Sequence, residues 1–87
     1  MTDVKFIDLV KRAVADYFNT RKEITDSGVM SPDDVYIVWY CKALQNWKAL
    51  ASTVVTDGMY YEITLNGDQQ ELYLDAYKKW ENKKLSL

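Results

Sequence analysis

Few residues of this chain are of types that carry out chemistry. The 87 residues include no histidine and a single cysteine, Cys41. This removes the common zinc ligand sets, serine–histidine and cysteine–histidine catalysis, and any internal disulfide. Cys41 stands among aromatic residues and has no histidine to activate it, so we expect a packed, unreactive thiol.

The acidic residues are the second candidates for chemistry. Convergent carboxylates can bind a divalent cation or act as general acids and bases. Asp33 and Asp34 follow Ser31-Pro32, however, with the spacing that caps a helix. Most other aspartates stand in or beside turn signals, where local hydrogen bonds explain them: Asp57, Asp68 and Asp75. We therefore expect no metal, no cofactor and no enzymatic activity.

Aromatic residues are the unusual feature of the composition. They make up 14% of the chain, with three tryptophans, seven tyrosines and two phenylalanines, and so small a domain cannot bury them all. Exposed tyrosine and tryptophan beside charged residues are typical of protein-binding surfaces, and the same mixture can stack single-stranded bases. A core and rim of rings without any binding role is the third interpretation.

The candidate partner-binding residues lie toward the C-terminal end. We expect an outer aromatic row on adjacent strands, flanked by lysines and a tryptophan: Tyr60, Tyr61, Tyr73, Tyr77, Lys78, Lys79 and Trp80. The net charge of −2 argues against a dedicated nucleic-acid binder, which normally has a basic excess. We therefore favour a protein partner over nucleic acid, and a homodimer is a further partner to consider.

Length and composition indicate a single folded domain over residues 1–87. The chain is shorter than the usual domain of about 100–150 residues, and its 48% apolar and 28% charged residues are typical of globular proteins. No apolar run approaches the roughly 18–20 residues of a membrane-spanning helix, and the N-terminus lacks the apolar core of a signal peptide. We expect a cytoplasmic protein without a membrane partner.

The N-terminal segment has the periodicity of a helix. Apolar residues recur at steps of three and four from Val4 to Phe18, which predicts an amphipathic helix over about residues 3–19. Asp26-Ser27-Gly28 then gives a helix-end and loop signal.

A second helix is predicted after residue 31. Ser31 is suited to the N-cap, Pro32 to the first helical position, and the two aspartates to the positive end of the helix dipole. The following residues, Val35 to Tyr40, are β-branched and aromatic and would indicate a strand if taken alone. The cap favours the helix, which we place over about residues 32–45.

Beyond this point the pattern is that of an antiparallel meander. Strands are predicted over about residues 48–56, 60–66 and 71–78, with turn signals between them that include Asn66-Gly67. Residues 77–84 stay open between a strand that continues into a tail and a short helix. The predicted fold is α+β, with two N-terminal helices packed on a three-stranded antiparallel β-meander.

Several stretches resemble a family of short uncharacterised proteins of phages and prophages of Gram-positive bacteria. They run from Ser31 to Leu50, from Asp57 to Glu62, from Asn66 to Asp68 and from Asp75 to Lys79. The resemblance covers about residues 31–82 and is weakest in the N-terminal helix. The family has no assigned activity, so it implies an origin and no functional residues: a small accessory protein made inside an infected or lysogenic bacterial cell.

The resemblance and the surplus of rings lead to one functional expectation. Phage accessory proteins of this size without catalytic residues often act by binding a host protein, defence nucleases among them. We expect a non-enzymatic protein-binding accessory protein that engages a host or phage protein and modulates or inhibits it. The alternative is a nucleic-acid-associated module that uses the C-terminal lysines and the aromatic row.

Overall fold

The computed structural model describes residues 1–21 and 28–87. The elements in this part of the chain are α1 (Asp3–Arg21), a single 3-10 turn η1 (Pro32–Asp34), and the strands β1 (Val35–Ala43), β2 (Asn46–Thr53), β3 (Met59–Asn66) and β4 (Glu71–Lys78). The strands form one antiparallel sheet in the order β1-β2-β3-β4. The predicted α+β class is confirmed. The loop signal at Asp26 and Ser27 lies outside the described residues.

The predicted second helix over residues 32–45 is wrong. Ser31 does cap a helical turn, because its hydroxyl accepts from the Asp33 N–H at 3.2 Å and its own N–H donates to the Asp34 carboxylate at 3.0 Å. The turn stops at Asp34, and the chain continues as β1. β-Branched and aromatic side chains pack well on a pleated surface, and the segment from Val35 to Ala43 pairs with β2 along its whole length apart from the bulge at Val38.

The turn between β1 and β2 has no signal in the sequence. Ala43 pairs with Asn46, so the turn consists of Leu44 and Gln45 alone. Two-residue hairpin turns usually contain Gly or Asn because they need left-handed backbone, and Leu44 adopts it at φ 59°. Because the sequence gives no turn signal here, residues 35–45 appear as a single helical segment. The sequence therefore predicts three strands and misses β1.

The remaining strand predictions are close to the structure. The strand predicted over 48–56 is β2 and lies two to three residues earlier, while β3 begins one residue earlier than predicted and β4 has the predicted bounds. Residues 79–87 have no regular secondary structure, so the segment left open is the end of β4 followed by a tail. No helix among the described residues is long and apolar enough to cross a membrane.

The core lies between α1 and one face of the sheet. Phe6, Val10 and Val14 of the helix are fully buried, as are Ala49 and Ala51 of β2, whose small side chains let the helix approach the strand closely. Two ring contacts anchor the ends of the helix, Phe6 on Trp47 at 5.0 Å and Tyr17 edge-on to Tyr61 at 5.8 Å. The helix therefore packs mainly over β1 and β2.

A bulge in β1 reverses which side chains face the helix. The register shifts between Ile37 and Trp39, which leaves Val38 as the extra residue on this strand. After the bulge, Trp39 lies opposite Leu50 and Tyr40 opposite the buried Ala49. Tyr40 thus lies on the helix side, where its hydroxyl donates to the Asp3 carboxylate at 3.0 Å.

The β1–β2 turn packs against the β3–β4 turn. The Gly67 N–H donates to Asn46 Oδ1 at 3.1 Å, and the Gln45 side-chain amide donates to Asp68. A Cβ atom on residue 67 would lie 2.1 Å from the Gln45 carbonyl oxygen. Only glycine allows the two turns to approach this closely.

We predict that Gly67→Ala separates the two turns and destabilises the fold by about 2 kcal/mol or more, within the range measured for overpacked sites. Gly58→Ala is the control. Residue 58 has φ +76°, but an added Cβ would meet its nearest atom at 4.0 Å, so only the left-handed backbone strain of about 1 kcal/mol applies. Denaturant unfolding of both variants measures the difference, and equal losses would contradict the close approach.

We predict that Leu44→Asn stabilises the fold by about 0.5–1 kcal/mol, because asparagine tolerates the left-handed backbone better than leucine does. Leu44 is exposed, so little packing is lost. Leu44→Ala is the matched control, since it removes the same side chain and keeps the strain. The free energy of unfolding should rise for Leu44→Asn alone, and an equal change in both variants would remove backbone strain as the cause.

Candidate protein-binding face

No helix of residues 1–21 and 28–87 lies over one face of the sheet, and we call this the helix-free face. Side chains alternate along each strand, and Tyr61, Ala49 and Tyr40 mark the side that packs on α1. The residues on the opposite side are Tyr36, Trp39 and Cys41 of β1, Lys48, Leu50 and Ser52 of β2, Tyr60, Glu62 and Thr64 of β3, and Glu71, Tyr73, Asp75 and Tyr77 of β4.

Large rings on the helix-free face are exposed at both of its edges. Tyr36 and Trp39 on β1, and Tyr73 and Tyr77 on β4, have between 44% and 54% of their surface exposed. Tyr60 lies opposite Tyr77 in the register and is half-buried, with the Lys79 ammonium 5.2 Å from its ring centre. The face therefore presents aromatic surface to solvent on two sides of a more polar centre.

The charge on this face is weakly negative. Glu62 and Asp75 lie directly opposite each other on β3 and β4, and like charges in that position repel. The Lys48 ammonium lies 3.4 Å from the Glu62 carboxylate and offsets part of the repulsion. Glu71 accepts a hydrogen bond from the Tyr73 hydroxyl at 2.8 Å, which raises the pKa of Tyr73 above its ordinary value.

The structure brings part of the predicted aromatic row together. Tyr60, Tyr73 and Tyr77 share the helix-free face, and Lys79 lies beside Tyr60. Tyr61 does not belong to this row, because it is only 3% exposed and packs on Tyr17. Consecutive residues of a strand face opposite sides, so Tyr60 and Tyr61 cannot contribute to one surface.

The other two predicted residues are dispersed. Lys78 lies opposite Met59, on the helix side of the sheet, one position from Lys79. Trp80 is 96% exposed in the segment that follows β4. The C-terminal lysines therefore do not form a continuous basic row with the rings.

Two rings of the face, Tyr36 and Trp39, are absent from the predicted site residues. The helix predicted over residues 32–45 would bury them, whereas in the structure they are exposed because they lie on the helix-free face. The same error applies to Cys41, which is exposed on β1 and not packed in a core. The β-branched and aromatic run from Val35 to Tyr40 is the signal that could have identified all three.

Four aspartates outside this face have local structural roles. Asp33 and Asp34 belong to the capped turn, the Asp57 carboxylate accepts from the Met59 N–H at 3.0 Å, and Asp68 accepts from Gln45. Across residues 1–21 and 28–87, no three residues of the histidine, cysteine, aspartate and glutamate types lie close enough to hold a metal ion.

An open cleft of about 460 Å³ lies where the hairpin turns meet the start of the chain. Lys42 is the charged side chain among the residues that line it, and its ammonium lies 5.3 Å from the centre of the Trp47 ring. Leu44 and Leu65 supply apolar wall, and glutamines and Gly67 complete the rim. This lining has no carboxylate or thiol that could act as a base or nucleophile.

Comparison with known proteins gives one match. A family model described as "Family of unknown function (DUF6275)" matches residues 7–87, which takes in the sheet and most of α1. No curated protein and no solved structure matches the chain.

The burial of Tyr61 predicts a pH dependence of stability. Burial, followed by the charge of Asp57, raises the pKa of Tyr61 above its ordinary value of 10.0. A group whose folded pKa is raised contributes stability below its unfolded pKa, and this contribution is lost as the pH rises through the folded pKa. Tyr61→Phe keeps the ring and should reduce the loss of stability above about pH 10.

Denaturant unfolding across the alkaline range measures this difference. Part of the decline should persist in Tyr61→Phe, because hydrogen bonds to Asp3 and Glu71 raise the pKa values of Tyr40 and Tyr73. Identical alkaline declines in the native chain and the variant would contradict the burial of a neutral Tyr61.

Proposed function

Since the chain belongs to this family of unknown function, we propose its function from its own surface: it is a non-enzymatic protein-binding module, and the helix-free face is its binding site. The observation that most directly supports this is the exposure of Tyr36, Trp39, Tyr73 and Tyr77 on a face with no helix over it. Tyrosine and tryptophan dominate the binding energy of protein interfaces.

The energetic argument rests on the area of these rings. A large aromatic side chain can bury about 150–250 Å², and removal of apolar surface from water contributes roughly 25 cal/mol per Å². Two rings at each edge therefore offer a partner two anchor points separated by the width of the sheet. The strands fix the backbone at these rings, so binding has to order the side chains alone.

The charge of the face favours a protein partner with basic side chains. Glu71 and Asp75 flank Tyr73 on β4, and an arginine can stack on a tyrosine ring while it pairs with a carboxylate. The same carboxylates would repel a phosphate backbone. Lys78 and Lys79 lie on different sides of the strand end, which weakens the alternative of a nucleic-acid-associated module.

The resemblance to phage and prophage proteins supplies the setting of the proposal. In that setting the partner is a host or phage protein in the bacterial cytoplasm, and binding modulates or inhibits it. A defence nuclease is one such partner: its nucleic-acid-binding surface is basic, as that of a nucleic-acid-binding protein is expected to be, and it would complement the carboxylates of this face.

The test compares capture of a partner by the tagged native chain and by two variants. The double variant Trp39→Ser/Tyr73→Ser removes one ring from each edge of the face and should weaken the affinity for the captured protein at least about tenfold, which corresponds to about 1.4 kcal/mol, with a matching fall in recovery. Trp80→Ser is the matched control, because it removes an exposed ring from the tail and should bind as the native chain does.

Folding of each variant is verified from its unfolding midpoint. Unchanged recovery by a folded Trp39→Ser/Tyr73→Ser variant would contradict the helix-free face as the site, and loss with Trp80→Ser alone would assign binding to the tail. The charge argument has its own variants, Glu71→Gln and Asp75→Asn, which should weaken capture. Salt-sensitive binding of single-stranded oligonucleotides by the native chain, lost in the ring variant, would favour the nucleic-acid alternative.

A further inference from the structure

The two edges of the sheet are built differently. β1 is interrupted by the bulge between Ile37 and Trp39, whereas β4 pairs with β3 without a break from Lys78 to Glu71. Edge strands of monomeric proteins are usually short, bulged, charged, covered or broken by proline, because an open edge can pair with another strand. β4 has charged residues of both signs, Glu71, Asp75 and Lys78. β4 has eight residues, no proline and no bulge, and no strand of the described chain pairs with its outer side.

The register identifies which backbone groups of β4 face the open edge. The Lys79 N–H donates to the Gly58 carbonyl at 2.7 Å. Hydrogen-bonded and non-hydrogen-bonded pairs alternate in an antiparallel ladder, so Tyr77, Asp75 and Tyr73 direct their N–H and C=O groups to β3. The Met59 carbonyl accepts from Ser52 on β2 at 2.7 Å, which agrees with this alternation.

The remaining residues of β4 direct their backbone groups away from the sheet. These are Leu72, Leu74 and Ala76, and their side chains lie on the helix side. α1 packs over β1 and β2, so this apolar strip is incompletely covered, and Leu72 is 39% exposed. Open hydrogen-bonding groups and apolar side chains therefore occur on the same three residues, of which Leu72 and Ala76 are exposed and Leu74 is half-buried against the core.

We propose that β4 pairs antiparallel with β4 of a second copy of this chain, around a two-fold axis at Leu74. In this register Leu74 lies opposite Leu74, and Leu72 opposite Ala76, so the apolar strip of each copy covers that of the other. On the opposite side Tyr73 lies opposite Asp75, and Glu71 opposite Tyr77. No pair has like charges.

The neighbouring registers are less favourable. An axis at Asp75 places the two Asp75 carboxylates opposite each other, and an axis at Tyr73 places Glu71 opposite Asp75; both arrangements repel. Axes at Leu72 or Ala76 leave a large part of the eight-residue strand unpaired. Side-chain charge and strand length together select Leu74.

The pairing joins two four-stranded sheets into one continuous sheet. The two-fold axis runs perpendicular to the sheet, so both helices lie on one side and both helix-free faces on the other. Tyr73 and Tyr77 of the two copies then meet near the axis. This proposal does not rest on the proposed function, since the backbone hydrogen bonds of the strand edge and the apolar contacts of the helix side can form whether or not the helix-free face binds a partner. The pairs of Tyr73 with Asp75 and of Glu71 with Tyr77 add contacts on the helix-free face.

Sedimentation velocity of the full chain over a range of concentrations tests the assembly. The native chain should sediment with twice the 10.2 kDa mass of the monomer. Ala76→Pro removes an N–H that faces the open edge and leaves the β3 ladder intact, so it should be monomeric. Ala76→Ser keeps the N–H and should remain dimeric. A native chain that stays monomeric at its highest soluble concentration would overturn the proposal.

Disulfide trapping tests the register independently of whether Ala76→Pro folds. In a Cys41→Ser background, Tyr73→Cys and Asp75→Cys are prepared as separate single-cysteine proteins. The axis at Leu74 makes residues 73 and 75 a non-hydrogen-bonded pair, whose Cα separation of about 4.5 Å suits a disulfide. Mild oxidation of the mixture should therefore join unlike chains.

Each cysteine protein oxidised alone should yield far less crosslinked dimer than the mixture. Rapid self-crosslinking of Asp75→Cys would place the axis at residue 75 and overturn the register centred on Leu74. A mixture that gives no crosslinked product, together with a monomeric native chain, would overturn the β4 pairing itself. Loss of partner capture changes neither the sedimentation result nor the crosslinking result, so the dimer proposal and the proposed function can be contradicted independently.

Discussion

The structure depends on the packing of one helix against four strands. An α-helix is about 10–12 Å wide with its side chains, while neighbouring strands are about 4.8 Å apart, so one helix covers little more than two strands. α1 is centred on β1 and β2, where Ala49 and Ala51 allow a close approach. In the part of the chain that the structure describes, no helix covers the far edge of the sheet or its opposite face, and both proposals rest on these surfaces.

The aromatic residues follow from the same constraint. Phe6, Trp47, Tyr17 and Tyr61 form the two ring contacts at the ends of the helix. The alanines of β2 allow α1 to lie close to the sheet, so little space remains between them for further rings. Apart from Tyr40, which reaches Asp3 at the start of α1, the other rings of the sheet lie on the helix-free face. Their exposure is therefore a property of the architecture, and it explains why a chain with 14% aromatic residues keeps several of them in contact with solvent.

The sequence predicts an element correctly where its periodicity and its turn or cap residues indicate the same structure. α1 has a clear helical period, and β3 and β4 alternate on either side of a turn, so their bounds and the face shared by Tyr60, Tyr73 and Tyr77 were predictable. Residues 31–45 contain a helix cap followed by strand-forming residues, and Leu44 gives no turn signal. The conflict is resolved by pairing with β2, a non-local contact. Because the sequence predicts a helix here, it does not identify Tyr36 and Trp39 as exposed rings of a strand.

The bulge at Val38 shows how one residue affects both the binding face and the choice of pairing edge. Strict alternation from Val35 would place Trp39 under the helix and Tyr40 outside. The extra residue reverses this order, so Trp39 joins Tyr36 on the helix-free face while Tyr40 reaches Asp3 at the start of α1. The same bulge makes β1 a poor template for another strand. The bulge in β1 therefore brings Trp39 onto the helix-free face and makes this edge unsuitable for pairing. The regular strand β4 is the edge that remains suitable for pairing with another strand.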